Sequence, residues 1–260
     1  MFSDDYKSVM DSALSKQVFL KANPFGFFVA SIMAGVFVGF GIMLIFSIGG
    51  HLDGAPYSKI IMGASFGIAL SLVIMAGSEL FTGNNFIMTA GLLGKKVSWS
   101  MVMKIWIISY LGNWVGSVLL AGLFYGAGLA KGPVGEFIAI SAEAKMSIPF
   151  WSLFIRGILC NMLVCVAIWS SFRMKSESGK LIVIFWCLFA FITTGYEHSI
   201  ANMSLLTVSL LAPFEAGVSL GGYFYNILVA TAGNMVGGVV GIGIPYYIIS
   251  KKGYISSQAG

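Results

Sequence analysis

Tyr196-Glu197-His198-Ser199-Ile200-Ala201-Asn202 is a polar interruption inside an apolar stretch that runs from about residue 181 to residue 211. A second interruption, Ser78-Glu79-Leu80-Phe81-Thr82-Gly83-Asn84-Asn85, lies inside residues 60–94. Each stretch is too long for one simple membrane-crossing helix, which needs about 20 apolar residues. Lipid tolerates irregular, acid-bearing backbone only where protein buries it or a wet cavity borders it. The two interruptions therefore predict two helices broken inside a membrane, each lining a solute path.

Outward from the breaks, four more apolar segments, 26–49, 101–127, 150–171 and 219–249, bring the expected spans to six. The composition demands the same solvent. Of 260 residues, 58% are hydrophobic and 10% charged, and mean hydropathy is +0.91. A soluble domain carries about 25% charged residues, so this chain lacks the charge to cover a water-facing surface. The 33 glycines sit inside apolar runs, which fits close helix–helix packing in lipid and excludes collagen or linker readings. The net charge of +5 is scattered over loops, so no nucleic-acid partner is expected. Cys160, Cys165 and Cys187 all fall within spans and read as small packing residues, with no disulfide, metal or cofactor expected.

Orientation follows from the loop cations. Lys7, Lys16, Lys21, Lys95, Lys96, Lys104, Arg173, Lys175, Lys180, Lys251 and Lys252 fall on one side, against Lys59, Lys131 and Lys145 on the other. The richer side is expected to be cytoplasmic, with both termini inside and the chain in the plasma (inner) membrane. Residues 1–25 have an acidic first third and no compact apolar core, so no cleaved signal is expected. Val9, Met10, Ala13, Leu14 and Val18 recur at helical spacing there and predict an amphipathic helix at the membrane surface.

The breaks belong to a repeat. Glu79-x4-Asn84 matches Glu197-x4-Asn202. Gly112-Asn113-Trp114-Val115-Gly116 matches Gly233-Asn234-Met235-Val236-Gly237, and Pro24-Phe25 matches Pro149-Phe150. Three spans per half put the halves in opposite orientations, and inverted repeats place solute paths at their shared interface. The expected organisation is an N-terminal cytoplasmic helix (1–25), a first transmembrane repeat (26–127), an outer connecting loop (128–149), a second repeat (150–249) and a cytoplasmic tail (250–260). A short half-helix is expected to start near Asn84 and near Asn202, with an N-terminus that favours an anion.

At these residues the chain resembles the formate/nitrite transporter family. The resemblance rests on Ser78-Glu79-Leu80-Phe81-Thr82, Glu197-His198-Ser199-Ile200-Ala201-Asn202-Met203, Arg156-Gly157-Ile158-Leu159-Cys160-Asn161 and the two Gly-Asn-x-x-Gly elements. It covers nearly the whole chain. It implies an all-α, aquaporin-like fold, a homopentamer in the lipid bilayer, and one pore per protomer for small monovalent anions: hydrosulfide, formate or nitrite. Overall likeness, with Tyr196 before the Glu-His pair, favours the hydrosulfide branch.

His198 is the one histidine within a span and stands beside Glu197. Desolvation in an apolar pore would keep it neutral, and an arriving anion would favour sharing its proton. By family position, Thr82 faces the histidine, Lys145 stands at the pore mouth and Asn161 and Asn234 border the pore; Thr82 could instead simply cap the half-helix. Glu79, Glu197, Asn84, Asn202 and Asn113 are expected to hold the broken backbone, the glutamates by accepting freed N–H groups, and Asn202 to touch solute as well. Arg156 is expected to have a structural role at the subunit contact. The resemblance also implies two apolar constrictions, formed from Phe66, Leu70, Leu80, Phe81, Val164, Phe191 and Ala201. An aquaporin-type neutral-solute channel would show Asn-Pro-Ala at both breaks, and neither has it. An intramembrane enzyme would need a nucleophile–base or paired-acid constellation that the spans do not supply.

Overall fold

A computed structural model describes residues 2–258, with side chains through Lys251. The side chain of Lys252 and residues 259–260 of the expected tail lie outside the described part. Among the described residues all regular structure is helical: α1 (Ser3–Ala22), α2 (Pro24–His51), α3 (Ser58–Gly77), α4 (Phe81–Leu93), α5 (Trp99–Gly126), α6 (Gly132–Met146), α7 (Phe150–Arg173), α8 (Glu177–Thr194), α9 (Ser199–Leu211) and α10 (Leu220–Lys251). Six of them, α2, α3, α5, α7, α8 and α10, are long and apolar enough to cross a membrane. The short α4 and α9 follow the two breaks.

Local chemistry sets the boundaries. Asn23, Ser98, Ser176 and Ser219 each accept a backbone N–H from the first turn of α2, α5, α8 and α10. These are the side chains that best satisfy the orphan donors of a helix start, and Pro24 adds a preset φ at the opening of α2. α8 stops at Gly195, whose φ of 79° suits glycine, and α3 stops at Gly77 with the same φ. α3 loosens into wider π-turns over Val73–Gly77, and α10 does so over Gly237–Gly243.

The half-helices start at Phe81 and Ser199, within a turn of Asn84 and Asn202. Two sequence expectations need revision. The connection over 128–149 contains the 15-residue helix α6. The apolar stripe of α1 faces protein: Tyr6, Val9, Met10 and Ala13 are buried against the bundle, chiefly on α4, while Val18 points outward. Ion pairs Asp5–Arg173 (3.3 Å) and Asp11–Lys96 (3.5 Å) help to hold α1 in place.

The duplication shows in the packing. The most extensive contacts are α2 with α5, and its repeat counterpart α7 with α10. Both interfaces close on glycine. A Cβ on Gly116 would run into the carbonyl oxygen of Ile32, and one on Gly237 into that of Ile158. Backbones this close gain dispersion contacts that lipid cannot offer to bulkier surfaces. Gly116→Val should therefore lower the thermal midpoint in detergent, by the roughly 1–3 kcal/mol of overpacking or more. Gly122→Ala should be neutral or slightly stabilising, because a Cβ there meets nothing within 4 Å. Equal midpoints for Gly116→Val and wild type would show that the interface does not need the glycine.

Candidate functional site

Each break begins with stranded backbone groups, and one asparagine from the neighbouring long helix binds them. On α5, Asn113 Oδ1 accepts from Phe81 N (2.9 Å), while its Nδ2 donates to the carbonyls of Ser31 (2.7 Å) and Glu79 (2.9 Å). On α10, Asn234 Oδ1 accepts from Ser199 N (2.9 Å), while its Nδ2 donates to the carbonyls of Gly157 (2.8 Å) and Glu197 (2.9 Å). The break N–H groups themselves donate to the first long helix of each half: Glu79 N to Ala30 O (3.1 Å) and Glu197 N to Arg156 O (3.3 Å). The two closures match bond for bond.

The break glutamates act differently from the sequence expectation. Their carboxylates accept from side chains, and no backbone N–H among the described residues donates to them. Glu79 Oε2 takes Lys16 Nζ (2.5 Å) and Asn84 Nδ2 (3.1 Å). Glu197 takes Lys145 Nζ on Oε1 (2.6 Å) and Asn202 Nδ2 on Oε2 (2.7 Å). Asn202 also donates to Asn226 Oδ1, whose amide holds the Lys145 carbonyl. Each acid is thus paired with a lysine borne by a helix outside the six spans, α1 for one break and α6 for the other.

Thr82 and His198 meet where the two half-helices face each other. Thr82 Oγ1 lies 3.0 Å from His198 Nε2, and both side chains are buried. His198 is also the N-cap of α9, because its Nδ1 accepts from Ala201 N at 3.1 Å. A backbone amide can only donate, so Nδ1 carries no proton and the ring proton sits on Nε2. That proton is donated to Thr82 Oγ1, which leaves the threonine's own hydrogen free for a third group.

Two cavities flank this junction. One, of about 450 Å³, is lined by Lys16, Glu79, Leu80, Asn84 and Lys180 among others. The other, of about 580 Å³, is lined by Lys145, Arg156, Phe191, Glu197, His198, Ala201 and Asn202 among others. They open at opposite ends of the bundle. Ile168 on α7 borders the first and Arg156 the second, about 18 Å apart at 1.5 Å per residue. α2 runs the opposite way, with Ala30 at the first cavity and Phe46 at the second. The halves are therefore inverted. The cavities share no lining residue.

The remaining expected residues fall around this core. Phe66 packs edge-on against Phe191 (5.4 Å between centroids), and Phe191 stacks on His198 (6.1 Å). Leu80 borders one cavity, while Leu70 and Val164 are buried and border neither. Phe81 turns its ring onto Tyr110 at 5.0 Å. Asn161 uses its amide on the carbonyls of Thr82 and Asn234 and on Asn85 Oδ1, and, like Asn234, it lines neither cavity. Sequence reasoning missed Lys16 and Asn226. Lys16 counted only as a loop charge, since nothing local shows that α1 folds back over the first break. Among the described residues no cluster of His, Cys, Asp and Glu is placed to hold a metal.

Six apolar spans, two inverted broken helices and a polar junction between opposed cavities define a membrane protein that carries a small solute across the bilayer. The chain belongs to the formate/nitrite transporter family: the family model "Formate/nitrite transporter" matches residues 4–248. It is 43% identical over 253 residues to the "Nitrite transporter NirC" of Escherichia coli (strain K12), covering 97% of this chain and 94% of that one. A solved "FNT family ion channel" superposes with a TM-score of 0.91 at 42% identity, over 95% of this chain and 99% of the other. A "Pentameric formate channel with formate bound" superposes with a TM-score of 0.77 at 26% identity, over 88% and 98%. The family is one of transporters and channels, not enzymes.

The closure of the second break can be tested alone. Asn234→Leu would strand Ser199 N and the carbonyls of Gly157 and Glu197, at about 1–3 kcal/mol for each buried group left unpaired. Thermal unfolding followed by size exclusion should show little or no folded protein. A variant with the wild-type midpoint would mean that another group closes the break.

Proposed function

We propose that this protein is a channel for small monovalent anions in the plasma membrane, with nitrite as its foremost substrate and formate next. The observation that carries the choice of nitrite is the identity of 43% to a nitrite transporter over 97% of the chain. Hydrosulfide, the first expectation from sequence, has no such support and becomes a comparison anion. Likeness to a pentameric formate channel supports a homopentamer with a pore in each protomer. The loop-cation bias supports cytoplasmic termini, with the Lys16 cavity inside and the Lys145 cavity outside.

In this reading an anion gathers at either mouth near Lys16 or Lys145. Each lysine is paired with its break glutamate, which keeps the carboxylate from repelling the solute outright. Asn84, Asn113, Asn161, Asn202 and Asn234 hold the walls. Phe66, Leu80, Phe191 and Ala201 strip water from the anion on either side of the junction. There the bare ion needs a donor, and Thr82 Oγ–H supplies it while Oγ1 accepts from His198 Nε2–H. A hydroxyl that accepts a hydrogen bond donates a stronger one. The histidine shares its proton through the threonine. Surrendering it outright would require protonating Nδ1 and breaking the cap on Ala201.

Purified protein in liposomes should pass nitrite and formate. A wild type impermeable to nitrite would overturn the substrate assignment. His198→Asn keeps a side-chain acceptor for the helix cap but removes the donor to Thr82, and Thr82→Val removes the hydroxyl. Both should fold, and both should lose nitrite flux by about tenfold or more, the worth of a hydrogen bond to a charge. Wild-type flux in Thr82→Val would exclude the hydroxyl as donor.

A further inference from the structure

The matched closures expose what the repeat does not share. Glu79 N bonds the carbonyl of Ala30, and Glu197 N bonds the carbonyl of Arg156. Ala30 and Arg156 thus occupy equivalent places, each on the wall of the cavity at its own break. An alanine does the backbone's work equally well, so the arginine side chain is not needed for the scaffold.

That side chain is also without a counter-charge. None of the ion pairs among the described residues includes Arg156. Its nearest acid in the break, Glu197, has both oxygens engaged, one by Lys145 and one by Asn202. Asp53 also borders this cavity, and it forms no ion pair with Arg156. Arg156 stands six residues into α7, about 9 Å of helix rise. It is exposed on the cavity wall, so an entering anion can reach the guanidinium without displacing a protein partner.

We propose that Arg156 docks the permeating anion in the Lys145-side cavity and that it favours anions with two oxygens on one atom. The proposal rests on the reading of the protein as a nitrite and formate pore. A guanidinium presents a planar fork of N–H donors that fits an O–N–O or O–C–O edge with two parallel bonds. Hydrosulfide offers a single sulfur and meets only the charge. Lysine in the same place would keep the charge and lose the fork.

The test is concentration-dependent uptake by wild type, Arg156→Lys and Arg156→Gln in liposomes, with nitrite, formate and hydrosulfide. Size exclusion of each variant tracks assembly. Arg156→Lys should raise the half-saturating concentration of nitrite and formate about tenfold, with the maximal rate and hydrosulfide uptake unchanged. Arg156→Gln should weaken all three anions. An unchanged half-saturation for nitrite in Arg156→Lys would overturn the proposal. So would altered elution or detergent stability with normal uptake per assembled protein, which would assign Arg156 to a subunit contact or a lipid phosphate. If wild type itself does not pass nitrite or formate, the underlying functional reading fails instead.

Discussion

A helix that stops inside a membrane leaves N–H and C=O groups that no lipid can satisfy, and everything at the centre of this protein depends on how they are bound. Asn113 and Asn234 do it, each with one acceptor and two donors on three backbone groups. The flanking glycines bring the asparagine-bearing helix close enough to reach. Close approach and amide closure are therefore one device, which explains why Gly-Asn-x-x-Gly recurs as a unit. Once the backbone is secured, the break can hold polar side chains facing a path without the helix unravelling.

Duplication supplied this device twice, in opposite orientations, and so made a route with two similar mouths. Each mouth has an acid, an asparagine reaching back to it, and a lysine from an accessory helix. The two halves depart from symmetry at the junction between them. In the register that aligns Glu79 with Glu197, His198 stands opposite Leu80 and Thr82 opposite Ile200. The hydrogen bond between Thr82 and His198 is thus a contact between unlike positions, possible only because the half-helices meet end to end. Arg156 against Ala30 is a further departure on the same side as the histidine.

His198 shows how one side chain serves both scaffold and site. Its Nδ1 takes the place of the serine or asparagine oxygen that caps α2, α5, α8 and α10, and that use fixes the proton on Nε2. The cap thereby orients the donor. A group with only the cap, or only the donor, would do half of this.

Hydropathy and charge determined the six spans and the two breaks, because the cost of polar backbone in lipid acts on each segment locally, and the recurring Glu-x4-Asn, Gly-Asn-x-x-Gly and Pro-Phe motifs added the inverted repeat. Family resemblance placed Thr82 opposite His198, and the asparagines were legible as amides that had to hold something. Which groups they hold was not. Lys16 pairs with Glu79 across 63 residues, and the tautomer of His198 depends on a helix cap one turn away. The tertiary structure decided these points because a hydrogen bond or ion pair is chosen by proximity in the packed bundle, and a linear pattern of apolar and polar residues does not encode distance between helices.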